Sequence, residues 1–264
     1  MKIAVSQLVG GGVPMLEFAD KAKAAGYDGV ELLLHADIKE LNYDTSAEDV
    51  DGVRKVFEEC GLEIFSVAAC GKSGNMLDSG EPARDAIAQV EFGLETTARL
   101  GAKVMLHTLG RLSPELYYED AYNNAVANLK VIAKKAEALG VTFAIEFVWN
   151  GFLFSPLEMR ALLEDVGSER VGFYFDPGNM AVFQYPQHWV RALGKHTKHV
   201  HLKDWTGGAL NGKWTPLLEG SVDFPTVIRE LRAAGYSGPL VSEVPSSLAP
   251  WEETAKTMRR IAAM

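Results

Sequence analysis

Glu146 in TFAIEF, Asp176 in VGFYFDPGN, His201 in KHVHLKD and Glu243 in PLVSEV each stand at the end of a short apolar run. Such groups are costly to bury singly, so each needs a compensating partner. Three carboxylates and one imidazole, with no thiolate, make a ligand set for a divalent ion. Mn²⁺ suits it best, with Mg²⁺, Co²⁺ and Zn²⁺ as alternatives. An octahedral ion held by four protein groups keeps about two positions open, enough for adjacent oxygens of a sugar. Oxygens held in this way polarise a ketone and stabilise an enediolate. Glu146 and Glu243, on two sides of a substrate, could remove a proton from one face and return it on the other.

For these four residues to meet, the chain must bring together positions 30, 25 and 42 residues apart. A strand–helix unit of an eight-stranded α/β barrel takes roughly 31 residues, so unit spacing explains the separations. A repeated junction supports that reading. A glycine closes a helical stretch and a strand follows at Gly26, Gly61, Gly101, Gly140, Gly167, Gly194 and Gly235, and glycine suits the left-handed position that ends a helix. With KIAVS at the start, the strands read YDGVELLL, LEIFSV, AKVMLH, VTFAIEF, RVGFYFD, TKHVHLK and PLVSEV, eight in all.

Helices are expected between them, over 46–60, 81–100 and 115–139. In FPTVIREL, Phe224, Val227, Ile228 and Leu231 share one helical face, with Asp223 as N-cap and Pro225 in the first turn. The predicted fold is a (β/α)8 TIM barrel forming a single domain over residues 1–264. A doubly wound open sheet would need a topological switch point and usually a Gly-rich phosphate loop. Gly10–Gly12 lacks that spacing and reads as a flexible loop.

Strand parity places the candidates. Val200 and Leu202 share one face, while His199, His201 and Lys203 share the other. By the same rule Tyr174, Asp176 and Glu146 point into the barrel, near the C-terminal strand ends where barrel enzymes keep their sites. The longest loop after a strand, Asp204 to Val222, is Gly-rich and holds Trp205 and Trp214, as a lid would.

Net charge is −9 and no basic stripe is present, which argues against nucleic acid as a partner. No apolar run reaches the length of a membrane span, and MKIAVSQ lacks a signal-peptide core, so a cytoplasmic location is expected. Cys60 and Cys70 form no disulfide or zinc-ribbon pattern and are expected to be reduced thiols.

The segments AIE, FDPGN, HVHLKDW and LLEGSVDFPTVIRELRAAGYSGPLVSE resemble the xylose-isomerase-like barrel superfamily of sugar and sugar-phosphate isomerases and epimerases, over essentially the whole chain. The resemblance implies a metal site at Glu146, Asp176, His201 and Glu243, with Glu146 and Glu243 as the acid–base pair. It also implies a keto sugar or sugar phosphate as substrate, with a homo-oligomer as a family expectation. A lyase of the same superfamily, an inosose dehydratase or a β-eliminating enzyme of 3-keto glycosides, is the alternative.

Free-ketohexose epimerases carry a His, an Arg and a Glu where this chain has Asn179, Gly207 and Phe152. Their absence points away from a simple ketohexose 3-epimerase. Lys203 faces the site, either to hold an anionic substrate group or to pair with a neighbouring acid. His107 and Arg111 in LHTLGR, Asn179, and Trp149 with Phe152, Trp205 and Trp214 are further candidates for substrate contact. Glu31 and His35 share one parity on strand two. Glu31 could accept the second N–H of a metal-bound histidine, and His199 is expected one layer down as packing.

Overall fold

A computed structural model describes residues 1–71 and 73–264. All seven junction glycines have positive φ, where a Cβ would be strained. At Gly140, φ is 67° and the N–H turns back onto the carbonyls of Ala136 and Glu137, satisfying the helix end before the next strand starts.

Eight parallel strands follow from these junctions: β1 (Ile3–Ser6), β2 (Gly29–Leu34), β3 (Glu63–Ala69), β4 (Val104–His107), β5 (Thr142–Glu146), β6 (Val171–Phe175), β7 (Thr197–Leu202) and β10 (Leu240–Ser242). Their order, β1-β10-β7-β6-β5-β4-β3-β2, closes on itself, which excludes the open sheet. Closure is made by β1 against β10, with Ala4 opposite Val241. The remaining two strands, β8 (Asp204–Thr206) and β9 (Lys213–Thr215), form an antiparallel hairpin outside the barrel.

The outer layer comprises α1 (Met15–Ala24), α2 (Ala47–Cys60), α3 (Gly80–Arg99), α4 (Tyr118–Leu139), α5 (Pro156–Val166), α6 (Pro177–Ala181), α7 (Pro186–Leu193), α8 (Phe224–Ala233) and α9 (Trp251–Ala263). Asp223 caps α8 by accepting from Thr226 N at 3.1 Å, and the four apolar residues at helical spacing are all buried. Helix α4 starts three residues later than expected. Leu116 N instead bonds Ser113 O in a turn, and Tyr117 is extended.

Outward-facing strand residues pack under the helices: Phe173 stacks on Trp189 of α7 at 5.8 Å. Fully burying such a side chain contributes about 1.5–3 kcal/mol. Helix α9 is fastened back over the start of the barrel by Arg259, which donates to both Asp28 oxygens at 2.6 and 2.8 Å. Among the described residues, no helix is long and apolar enough to cross a membrane, and both cysteines are free.

Candidate metal and proton-transfer site

Glu146 ends β5, Asp176 directly follows β6, His201 lies in β7 and Glu243 directly follows β10. All four are therefore at the C-terminal mouth. One ligand atom from each lies within 4.8 Å of the others. Ligands about 2.1–2.2 Å from one shared ion stand roughly 3–4.3 Å apart, so small inward adjustments would complete a coordination shell.

Asp176 has two jobs. Its Oδ1 accepts from Gly178 N at 2.8 Å and Asn179 N at 3.2 Å, capping α6. Its Oδ2 is left for the cluster. Gly178 is required because a Cβ there would lie 2.5 Å from Lys203 Cβ.

His201 is aimed by its second nitrogen. Nε2 donates to Glu31 Oε1 at 2.8 Å, while Nδ1 lies 3.2 Å from Glu146 Oε1 and 3.6 Å from Glu243 Oε2. Glu31 is completely buried, and Ser6 Oγ, Ser66 Oγ and Tyr174 OH donate to it at 2.7, 2.8 and 2.5 Å. Burial opposes its charge, but His201 and the hydroxyls outweigh burial and bring its pKa down to about 2. Burial likewise opposes an imidazolium at His201, yet Glu31, Glu243 and Glu146 raise its pKa well above the usual value. For Glu146 burial dominates, and with Glu243 nearby its pKa rises to about 7.

Lys203 realises the second of its two sequence readings. Its Nζ is 2.9 Å from Asp176 Oδ2 and 2.5 Å from Glu243 Oε2, pairing with both acids. Burial opposes the ammonium, but Asp176, Glu243 and Glu146 outweigh it and raise its pKa. Neither carboxylate oxygen has an aligned hydrogen-bond donor. The donor set and its burial fit a divalent cation.

Other candidates surround the cluster at different distances. Asn179 donates to Glu146 Oε1 at 3.2 Å and to Phe147 O at 3.1 Å, so its amide is committed to holding the glutamate. Trp149 donates to Asn179 O at 3.2 Å and stacks on Trp214 at 5.6 Å. The expected lid is the β8–β9 hairpin, in which Trp205 and Trp214 face each other at 4.9 Å. Trp214 also lies under the Lys203 ammonium, 5.1 Å away. A cavity of about 240 Å³ beside Glu243 and Lys203 is walled by Leu8, Trp214, Val244 and Leu248.

Phe152 is not a pocket wall. It is buried and packs on Tyr118 at 5.2 Å. His107 ends β4 and lines a different cavity at the same mouth. Arg111 is exposed, and its backbone is tied to Asn75. His35 is paired with Asp37 near the surface. His199 is buried against Tyr174 at 5.0 Å, one layer below His201.

Several supporting residues escaped the sequence reading. Asp204 anchors the hairpin by accepting from Trp205 N, Gly220 N and Val222 N at 2.9, 2.9 and 3.1 Å. Ser6 and Ser66 carry no signal except the inward parity of their strands.

Residues 19–261 match the sequence profile described as xylose isomerase-like TIM barrel. The chain belongs to that family. Within the xylose isomerase-like family, an L-ribulose-5-phosphate 3-epimerase, UlaE of Escherichia coli, is 25% identical over 248 residues, 91% of this chain and 84% of that protein. An uncharacterised protein of Methanocaldococcus jannaschii is 27% identical over 218 residues, 79% of this chain but 62% of that protein. Among solved structures, an L-ribulose 3-epimerase superposes with a TM-score of 0.84 at 19% identity, covering 99% of this chain and 94% of that one. The IolI protein with a bound zinc atom superposes at 0.80 and 18% identity, covering 100% and 97%.

Proposed function

We propose that this family member is a divalent-metal-dependent epimerase or isomerase of a keto sugar or sugar phosphate. The observation that carries the reading is the convergence of Glu146, Asp176, His201 and Glu243 within 4.8 Å at the barrel mouth. These four would hold the ion, with Mn²⁺ best suited to three carboxylates and an imidazole; that the IolI protein, of the same fold, binds a zinc atom supports a divalent ion. When bound, the ion supplies Lewis acidity that polarises a carbonyl and steadies negative charge on adjacent oxygens.

The chain's own residues do the rest. Glu146 and Glu243 project from strands separated by β6 and β7 in the ring, so they address a substrate from two sides. One accepts the proton from the carbon beside the carbonyl and the other returns one to it. Burial raises the pKa of Glu146 to about 7; added positive charge would lower it toward the carboxylate form a base needs. Asn179 fixes the orientation of Glu146. Trp214, stacked on Trp149, gives the cavity beside Glu243 and Lys203 an aromatic wall. The activity of the E. coli relative, a 3-epimerase of a ketopentose phosphate, supports this substrate class.

The test measures metal content of purified wild type beside Glu243→Gln, then solvent deuterium incorporation into L-ribulose, L-ribulose 5-phosphate and D-fructose with Mn²⁺. Near-stoichiometric metal in wild type, its loss in the variant, and deuterium in a product that has lost no water are expected. Wild type without metal affinity, or metal without exchange into any ketose, would remove the reading; product lighter by water would assign a lyase instead.

A further inference from the structure

The cavity of about 240 Å³ that touches the acidic cluster is mostly apolar, with Leu8, Val9, Val244 and Leu248 among its walls. Lys203 and Glu243 also line it, and Lys203 is the one cation among the lining residues. Asp204 is a third charged group there, but its two oxygens are occupied by three backbone N–H groups of the hairpin. The ionic chemistry offered to a ligand in this cavity is therefore that of Lys203 and Glu243.

Lys203 directly follows β7, two residues after His201 and on the same inward parity. Its side chain is 17% exposed, with Nζ 2.9 Å from Asp176 Oδ2 and 2.5 Å from Glu243 Oε2. The same ammonium stands 5.1 Å from the centroid of the Trp214 ring. The stem is seated as firmly as the tip. A Cβ at Gly178 would lie 2.5 Å from Lys203 Cβ and 3.0 Å from Trp214 Cζ3, so the backbone of α6 packs directly on both side chains.

An ammonium carries three N–H donors. Asp176 and Glu243 each present one oxygen to it, which leaves at least one N–H for an acceptor in the cavity. Among the described residues, Nζ forms no hydrogen bond to a third protein group.

The proposed proton transfer creates a need for such a donor. The C–H bond beside the carbonyl breaks, its proton passes to a glutamate, and the electron pair ends as negative charge on the carbonyl oxygen. Return of a proton by the other glutamate sends the pair back to carbon. A donor fixed beforehand at the oxygen that gains charge stabilises the transition state more than the ground state. Lys203 touches Glu243, one of the two glutamates assigned to this transfer, and is positioned by Asp176, Trp214 and Gly178 rather than by the substrate.

We propose that Lys203 is a catalytic residue whose remaining N–H donates to the keto-sugar oxygen on which charge develops, at the Glu243 edge of this cavity. The ammonium keeps its own proton throughout. This rests on the keto-sugar reading and adds to it an electrophile supplied by the chain itself.

The experiment compares wild type with Lys203→Met and Lys203→Ala. Titration calorimetry gives Mn²⁺ affinity; deuterium exchange and KM are measured on L-ribulose, L-ribulose 5-phosphate and D-fructose. Both variants should bind Mn²⁺ at least as tightly as wild type, because a positive charge beside two of the ligands is removed. Exchange should slow by about 100-fold or more, the usual effect of removing one such donor, with the loss mainly in kcat. Methylammonium should restore exchange to Lys203→Ala, while tetramethylammonium, which has the charge but no N–H, should not. In wild type loaded with diamagnetic Mg²⁺ and labelled with ¹⁵N at lysine, the Lys203 ammonium resonance should shift when an exchanging sugar is added.

Exchange as fast in both variants as in wild type overturns the proposal. Loss of Mn²⁺ binding in both does so too, since Lys203 would then only hold the two acids in place. Restoration by both amines alike, or by neither, removes the N–H donation, as does a resonance that stays fixed. Wild type that exchanges no ketose removes the keto-sugar reading and this role with it, whereas wild type that exchanges beside equally fast variants removes the role of Lys203 alone.

Discussion

Glu31 touches no part of the acidic cluster except through His201, yet it decides which nitrogen of that ring faces the carboxylates. Three hydroxyls saturate the rest of its lone pairs, so it is held as an anion and cannot swing into the cluster itself. Supporting carboxylates of this kind typically alter metal affinity by about 10–100-fold. Glu31→Gln should therefore weaken Mn²⁺ binding within that range by titration calorimetry, and Tyr174→Phe by less; unchanged affinity would deny Glu31 its orienting role. Parity on β7 was enough to suggest that His201 faces inward and that Glu31 could be its acceptor. The identity of the other three donors was not legible, because Ser6, Ser66 and Tyr174 come from three different strands and only barrel closure puts them around one carboxylate. Lys203 shows the same limit: its inward face could be read from alternation, but its pairing with both Asp176 and Glu243 depends on the ends of β6 and β10 being brought beside it.

The β8–β9 hairpin is the element that separates this site from a bare barrel mouth. Composition suggested a Gly-rich lid, and its glycines serve close packing as well as turning. A Cβ at Gly212 would meet the Trp205 indole at 2.3 Å, a rigid neighbour that cannot move without disturbing its edge-to-face contacts with Trp149 and Trp214. Gly212→Ala should loosen the hairpin, costing roughly 1–3 kcal/mol as an overpacking change. It should raise KM for the sugar and leave metal content intact; tryptophan fluorescence and steady-state kinetics read the two effects. An unaltered KM would mean that the hairpin does not cover the substrate. Helix boundaries were more accessible to sequence than this hairpin was. The caps at Ser46, Asp223 and the glycine junctions act through local hydrogen bonds, whereas Trp205 and Trp214 meet because two three-residue strands pair across a turn.

Across the whole molecule, stability is tied to the site and to the closing latch. A cation bound only by the folded state at a hundredfold its Kd adds about 2.7 kcal/mol, which for a chain of this size raises Tm by roughly 5–10 °C. Mn²⁺ should produce that shift in wild type and not in Glu243→Gln, by differential scanning calorimetry. The latch has its own pH signature. Burial opposes the charge of Asp28, but Arg259 and the Ile3 N–H outweigh it and depress its pKa. Its contribution is therefore fully present above the unfolded carboxylate range, about pH 4, and is lost as pH falls through the lower folded value. Asp28→Asn should flatten the decline of the urea midpoint below pH 4 relative to wild type; parallel pH profiles would show that the latch contributes nothing. Sequence alone determined the repeated strand–helix unit, the glycine at seven helix ends and the inward face of most strands, because all three follow from backbone geometry over a few residues. Spacing and parity pointed Glu146, Asp176 and His201 to one mouth, but only the tertiary structure brought an atom of each, and of Glu243, within 4.8 Å of the others, gave the Asn179 amide to Glu146 and Phe147 O and put Phe152 in the core. Those distances and pairings depend on strand tilt, register and closure around the ring, which couple residues tens of positions apart.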